Sequence, residues 1–347
     1  MSDLWADEFI CARFLVESAR VMELFHRYPV NEWSRSSRRP MLAAAQRARS
    51  ERPPREKGSD IMILVTGATG TVGRALIEQL LAAGEQVRAV TRRPESARLP
   101  AAVEVVRAEL GDAAAVSAAM RDVDRVFLLS TGPAIPEHDA TVAGAAAAAG
   151  VTRLVKLSSG RAGDATATDP IPTWHRAGEA AVWASGVAST VIRPLGFMSN
   201  ALHWAGTVRV HGAVHAPYGQ GRIAVIDPRD IAAVAVAALT TDAHLGQIYT
   251  LSGPQALSPG EQTAIIGEVL GRKLEFREIA PEQARQALLD HGVPTELADA
   301  IMALRATALA SFTSVVHDSV ERITGVPPRT FRQWATDHAA EFRLGAA

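Results

Sequence analysis

The twelve residues from Met62 to Gly73, MILVTGATGTVG, constrain this chain more than any other stretch. Ile61 to Val65 is a short apolar run, and after it Val72, Ala75, Leu76, Leu80 and Leu81 recur at helical spacing. Between the two lies a turn with Gly67, Gly70 and Gly73 in the pattern G-x-x-G-x-x-G. Glycines at those points let the chain turn tightly, bring bare backbone against a pyrophosphate, and seat a helix close on a strand. The N–H groups that open the helix then face the phosphates. Strand, glycine turn and helix in that order predict a dinucleotide-binding unit closed by Gly84. Its expected cofactor contacts are Gly67, Thr69, Gly70, Thr71, Val72 and Gly73.

An NAD site places Asp or Glu about 20 residues beyond the glycines, on the ribose 2′-hydroxyl. Here the strand Gln86 to Thr91 ends in Thr91-Arg92-Arg93. Two guanidiniums suit a 2′-phosphate and so favour NADP(H), with NAD(H) second; the alternative is a solvated strand end in an arginine-rich chain. A third strand, Val103 to Ala108, leads into Glu109 to Asp112. Asp112 either accepts from the adenine amino group or caps the helix starting at Ala113. Ser130, ending a strand over 125–130, is a further candidate cofactor contact.

From Met62 onward strands and helices alternate, with strands near 61–65, 86–91, 103–108, 125–130, 153–158 and 189–193. Such alternation predicts an α/β, Rossmann-type doubly wound parallel sheet. LVKLSS (Leu154 to Ser159) and VIRP (Val191 to Pro194) end at the carboxyl edge, where open α/β sheets bind ligands. Ser258 to Glu261 fits a capping box for a helix reaching Leu270, Lys273 to Ile279 alternates as a strand, and Pro281 to Ala310 reads as mostly helical. The expected organisation is a nucleotide-binding domain over 62–347 with a small substrate lobe mainly from about residue 195.

Residues 1–61 differ: seven arginines and three prolines between Ser34 and Lys57 read as a flexible basic extension outside the fold. Net charge is −1, with 48% hydrophobic and 21% charged residues, so nucleic acid is not an expected partner. Cys11 is the single cysteine, which excludes an intrachain disulfide framework and favours a cytoplasmic setting. No apolar run is long enough to span a membrane.

GATGTVG, TRRP, KLSS, WHRAGEAAVWASGVASTVIRPLGFMSN and TGVPPRTFRQWATDHAAEF, in that order, resemble the NmrA-like branch of the atypical short-chain dehydrogenase/reductases over residues 62–342. The resemblance implies a Rossmann domain with NADPH as ligand. It implies either an NAD(P)H-dependent quinone or azo-dye reductase, or a redox-sensing regulator that binds the nucleotide and a protein partner without turnover.

Short-chain dehydrogenases that reduce carbonyls use Tyr-x-x-x-Lys, in which the ammonium favours the phenolate and the phenol delivers a proton. The tyrosines here are Tyr28, Tyr218 and Tyr249, the lysines Lys57, Lys156 and Lys273, and none pair at that spacing. His175 stands in the corresponding place, with Glu179 four residues on. Either His175 donates a proton with Glu179 orienting it, or it is an entry-turn residue beside a solvated carboxylate. Ser158 and Ser159 either hydrogen-bond the nicotinamide ribose or substrate, or shape the turn. Phe197, Met198, Asn200 and Trp204, after Pro194, either form a flat slot for a small planar acceptor or pack into the core. His211 and His215 straddle Gly212 and lack a third ligand, so no metal is assigned.

Overall fold

A computed structural model describes residues 61–343, so the extension expected over 1–61 lies, except for Ile61, outside the described residues. The strands are β1 (Met62–Val65), β2 (Gln86–Thr91), β3 (Glu104–Arg107), β4 (Arg125–Leu128), β5 (Arg153–Leu157), β6 (Ser189–Pro194), β7 (Ala213–Ala216), β8 (Ile248–Leu251) and β9 (Glu275–Glu278). Helices α1 (Thr71–Ala82), α2 (Ala113–Ala119), α3 (Ile135–Ala148), α4 (Pro170–Ala184), α5 (Ala205–His211) and α6 (Pro228–Thr240) accompany the first half. Then come α7 (Pro259–Leu270), α8 (Pro281–Asp290), α9 (Thr295–Ala306), α10 (Ser319–Thr324), α11 (Phe331–Asp337) and α12 (Ala339–Phe342).

Seven strands form one parallel sheet in the order β3-β2-β1-β4-β5-β6-β8. Both faces are covered, which is why the strands read as nearly unbroken apolar runs. Ile63 and Val65 of β1 join Leu76, Leu80, Ile231 and Leu239 beneath α1 and α6. Leu64, between them, joins Val126, Val142 and Val182 beneath α2, α3 and α4 on the other face. Each buried side chain of this size contributes about 1.5–3 kcal/mol, so the two faces hold the sheet flat against its helices. Strand order reverses between β1 and β4, which opens a crevice at their carboxyl ends.

A second, smaller core gathers Met198, Val208, Val214, Ile266, Phe331, Trp334 and Phe342 around the two-stranded β7–β9 ribbon. Trp334 is fully buried, stacked on Phe331 at 5.4 Å and on His338 at 4.5 Å. The chain enters this core from α10, which packs on α6, through Arg329, whose backbone N–H and guanidinium both donate to Asp230 on α6. The capping box is present: Ser258 Oγ accepts from the Glu261 N–H, and Glu261 accepts from the Ser258 N–H at 2.7 Å.

Two differences from expectation are instructive. The strands read as 125–130 and 153–158 stop at Leu128 and Leu157, because the following residues turn to bind side chains at the sheet edge. Strands β7 and β8 carry too little pattern to be read, each being four residues long and β7 being AVHA. The strand expected over 273–279 is present as β9 and pairs with β7 in the ribbon.

Candidate functional site

The glycine turn leaves β1 at Thr66, whose hydroxyl accepts from Leu129 N and donates to Leu129 O, fixing the loop against the end of β4. Gly67 sits at φ +62°, and a Cβ there would meet Leu129 Cδ2 at 2.7 Å. A Cβ on Gly73 would come within 2.2 Å of the Gly67 carbonyl oxygen. The turn is therefore a cradle that side chains would fill. Gly70 caps α1 without any side-chain acceptor, so the first-turn N–H groups face outward uncapped, as a pyrophosphate requires. Thr69, Gly70 and Thr71 are exposed there, whereas the Val72 side chain is buried in the core and only its backbone is available. Arg74, which the sequence reading missed, ties the turn to the next loop by donating to Thr69 O, Ala97 O and Arg98 O.

Beside the turn lies a cavity of about 140 Å³ lined by Thr69, Thr91, Arg92, Arg93 and Ser96. No carboxylate lines it, because the nearby Glu95 is held by Arg107 at 2.9 Å. Among the described residues neither Arg92 nor Arg93 is in an ion pair, so both remain able to take a phosphate. Asp112 caps α2, accepting from Ala114 N and Ala115 N at 3.0 Å. These features fit NADP(H): bare backbone for the pyrophosphate and two arginines where the 2′-phosphate belongs.

At the carboxyl ends of β4, β5 and β6 the sheet carries a buried polar cluster. Lys156 on β5 and Asp139 on α3 pair at 2.7 Å with both side chains 0% exposed. Ser130 Oγ donates to Asp139 at 2.5 Å, and Lys156 also donates to Leu157 O. Gly178 on α4 makes room, since a Cβ there would lie 2.0 Å from Asp139 Oδ2. A second pair stands alongside: Arg193 on β6 grips Glu179 through Nε at 2.9 Å and a terminal nitrogen at 2.5 Å. The Ser158 hydroxyl donates to the same carboxylate. Its proton committed, Ser158 faces a ligand only as an acceptor.

The expected pairing of Glu179 with His175 is not what the structure forms. Helical spacing puts both on α4, but the carboxylate is taken by Arg193 and Ser158. His175 is half-buried, and its Nδ1 is buried without a partner among the described residues. Burial, then the positive charges of Lys156 and Arg193, push its pKa down to about 3. The imidazole is neutral at any ordinary pH. Lys156, Asp139 and Arg193 were missed by the sequence reading, although a lone lysine inside the buried strand RLVKL signals that a partner carboxylate must exist.

Ser159 takes the turn-forming role, accepting from Arg161 N at 3.3 Å. The four residues after Pro194 do not share one face. Phe197 is half-buried against the main core, Met198 is buried in the lobe core, Trp204 packs on that core, and Asn200 is exposed. Met198–Trp204 is a 3-10 turn, whose tight winding sends neighbouring side chains in different directions. Phe197 is the one that stays beside the sheet edge, bridged to Ile226.

Comparison with known proteins agrees with this geometry. A family model described as NAD(P)H-binding matches residues 67–242. A (4-alkanoyl-5-oxo-2,5-dihydrofuran-3-yl)methyl phosphate reductase of Streptomyces griseus is 46% identical over 81% of this chain and 99% of its own length. An NAD(P)H azoreductase of Xenophilus azovorans is 38% identical over 82% of this chain and 100% of its own. The crystal structure of an NADPH-dependent quinone oxidoreductase of Escherichia coli in complex with NADPH superposes with a TM-score of 0.70, at 26% identity, over 80% of this chain and 99% of that one. The match begins at the first glycine of the cradle and spans half the chain, and the protein belongs to the NAD(P)H-binding family as an NAD(P)H-dependent reductase.

Proposed function

We propose that the acceptor is a small planar electron-poor π-system, a quinone or an azo compound, and that its protonation comes from water. The observation that carries this reading is that, among the described residues, the sheet edge holds no usable acid. Asp139 and Glu179 are bound to Lys156 and Arg193, and His175 is neutral. A hydride added to a simple ketone leaves a localised alkoxide that needs a proton donor or an oxyanion hole. A quinone or azo bond spreads the charge instead. Relatives named for azo and quinone reduction support the same class, and the Streptomyces griseus enzyme's name describes a ring double bond flanked by oxo and alkanoyl groups.

When bound, NADPH supplies the hydride. The chain's own part is to hold and orient. The Gly67–Gly73 cradle and the first turn of α1 take the pyrophosphate, and Arg92 and Arg93 take the 2′-phosphate. Ser158, fixed by Glu179 and Arg193, accepts a hydrogen bond from a ribose hydroxyl. Neutral His175 offers a ring N–H as a hydrogen-bond donor to the accepting oxygen or nitrogen, without giving up a proton. Phe197 supplies an apolar surface at the edge.

The test measures NADPH oxidation with a quinone, an azo dye and an aliphatic ketone side by side. Turnover of the first two and not of the ketone is expected. Ketone turnover at a comparable rate would refute the acceptor argument.

A further inference from the structure

On the acceptor side one cation stands apart. Arg305 lies half-buried in the last turn of α9. Among the described residues no carboxylate pairs with it, whereas Arg161, Arg193, Arg222 and Arg329 on the surrounding elements each hold one. Burial pushes its pKa down, and only the Tyr218 phenol acts in the other direction. A guanidinium withdrawn from water without a counter-charge is costly, so an anion that completes it gains affinity.

Its helix and the tract after it adjoin elements that reach the sheet edge. Tyr218 is held at φ +58°, a left-handed conformation unfavourable for a side chain of its size, by a turn in which Gly221 N donates to Tyr218 O at 2.8 Å. Gly221 lies flat on the tract after α9, where a Cβ would fall 2.6 Å from Ala308 Cβ, and Arg222 N donates to Ala308 O at 2.9 Å. Farther along, Ala224 N donates to Thr313 O, and Ile226 bridges Phe197. Phe312 in the same tract lies under the Arg161 guanidinium at 5.4 Å, just past Ser159 at the end of β5. Helix α9 also packs on α4, which carries His175. The nucleotide's phosphates are already served by α1, Arg92 and Arg93 on the far side of the crevice.

We propose that Arg305 binds an anionic substituent of the acceptor, a tetrahedral oxyanion such as a phosphate monoester or sulfonate, at a distance from the atom that receives the hydride. This rests on the acceptor-reduction reading above and narrows its substrate class to acceptors with a charged tail. A planar guanidinium that can donate two parallel hydrogen bonds suits such a group.

The experiment uses the full chain loaded with NADP+, which cannot pass a hydride, and titrates it by calorimetry. The ligands are three naphthoquinones that differ only in a side chain ending in phosphate, sulfonate or hydroxyl. The two anions should bind wild type about tenfold or more tightly than the alcohol. Arg305→Gln should bring that ratio to about twofold or less, and Arg305→Lys should retain part of it. The phosphate and sulfonate arms tell a doubly charged preference from a singly charged one. Equal affinity for anion and alcohol in wild type overturns the proposal, as does a ratio that survives Arg305→Gln, which would mean the arginine only finishes its helix. Thermal unfolding checks that the Gln variant folds, and the Lys variant carries the test if it does not. Turnover of the hydroxyl quinone with NADPH is scored separately: anion-selective binding without turnover would sink the acceptor reading and leave the anion site standing.

Discussion

The nucleotide side and the acceptor side of this crevice are built on opposite principles. On the nucleotide side the proposed contacts are mainly backbone: three glycines strip away side chains, α1 presents uncapped N–H groups, and two arginines have no ion-pair partner among the described residues. At the sheet edge on the acceptor side the buried charges are already satisfied, with Lys156 on Asp139 and Arg193 on Glu179, and the one imidazole among them is neutral, while Arg305 on α9 has no ion-pair partner among the described residues. The difference teaches which half of the chemistry the protein supplies. In the proposed reading it grips a charged cofactor with open charges and offers the acceptor a stiff edge of mutually neutralised pairs.

Breaking the acceptor-side frame should have the largest effect. Asp139→Asn leaves Lys156 buried without a counter-charge, and unfolding in urea should show a loss of about 3–5 kcal/mol. A loss under about 1 kcal/mol would mean that the pair is dispensable and the frame is not electrostatic.

How much of this was legible beforehand follows the same division. The cradle depends on local order, strand then glycines then helix, and on backbone freedom, so Gly67, Gly70 and Gly73 announce it in one line of sequence. Arg92 and Arg93 follow from the register of the next strand. The capping box at Ser258 and Glu261 is equally local. The acceptor-side network is not local. Asp139 reaches Lys156 from a helix between the two strands, Gly178 makes room from a third element, and Arg193 comes from a fourth. Spacing along α4 suggested a His175–Glu179 pair, and a tertiary partner on β6 took the carboxylate instead. The four residues Phe197, Met198, Asn200 and Trp204 look alike in sequence as a slot, but a 3-10 turn scatters them.

The nucleotide side can be sharpened by two substitutions of smaller effect. Arg92→Ala with Arg93→Ala should erase most of the preference for NADPH over NADH, a change of about 10- to 100-fold in the ratio of dissociation constants, read by cofactor fluorescence titration. A preserved ratio would place the 2′-phosphate elsewhere. Gly73→Ala introduces a Cβ that collides with the Gly67 carbonyl. It should cost about 1–3 kcal/mol of stability and weaken NADPH at the same time, because the turn and helix must separate. Stability loss without weaker NADPH binding would separate the packing role of this glycine from the cradle.

The smallest expected effect bears on the acceptor side again. His175, with its pKa lowered to about 3 from the ordinary 6.5, stays neutral in the folded protein while the unfolded chain takes up a proton below about pH 6.5. It therefore withdraws stability as pH falls from about 6.5 toward 3, and has no such influence above that window. The same neutrality governs the chemistry. The pH dependence of kcat for quinone reduction by wild type, taken from about pH 5.5 to 9, is the most direct test of a frame that supplies no proton. The account predicts no fall in rate on the alkaline side of a pKa near 6.5, and a profile of the same shape in His175→Ala. An alkaline limb with a pKa of about 6–7.5 that disappears in His175→Ala would contradict it, because His175 would then be the proton donor.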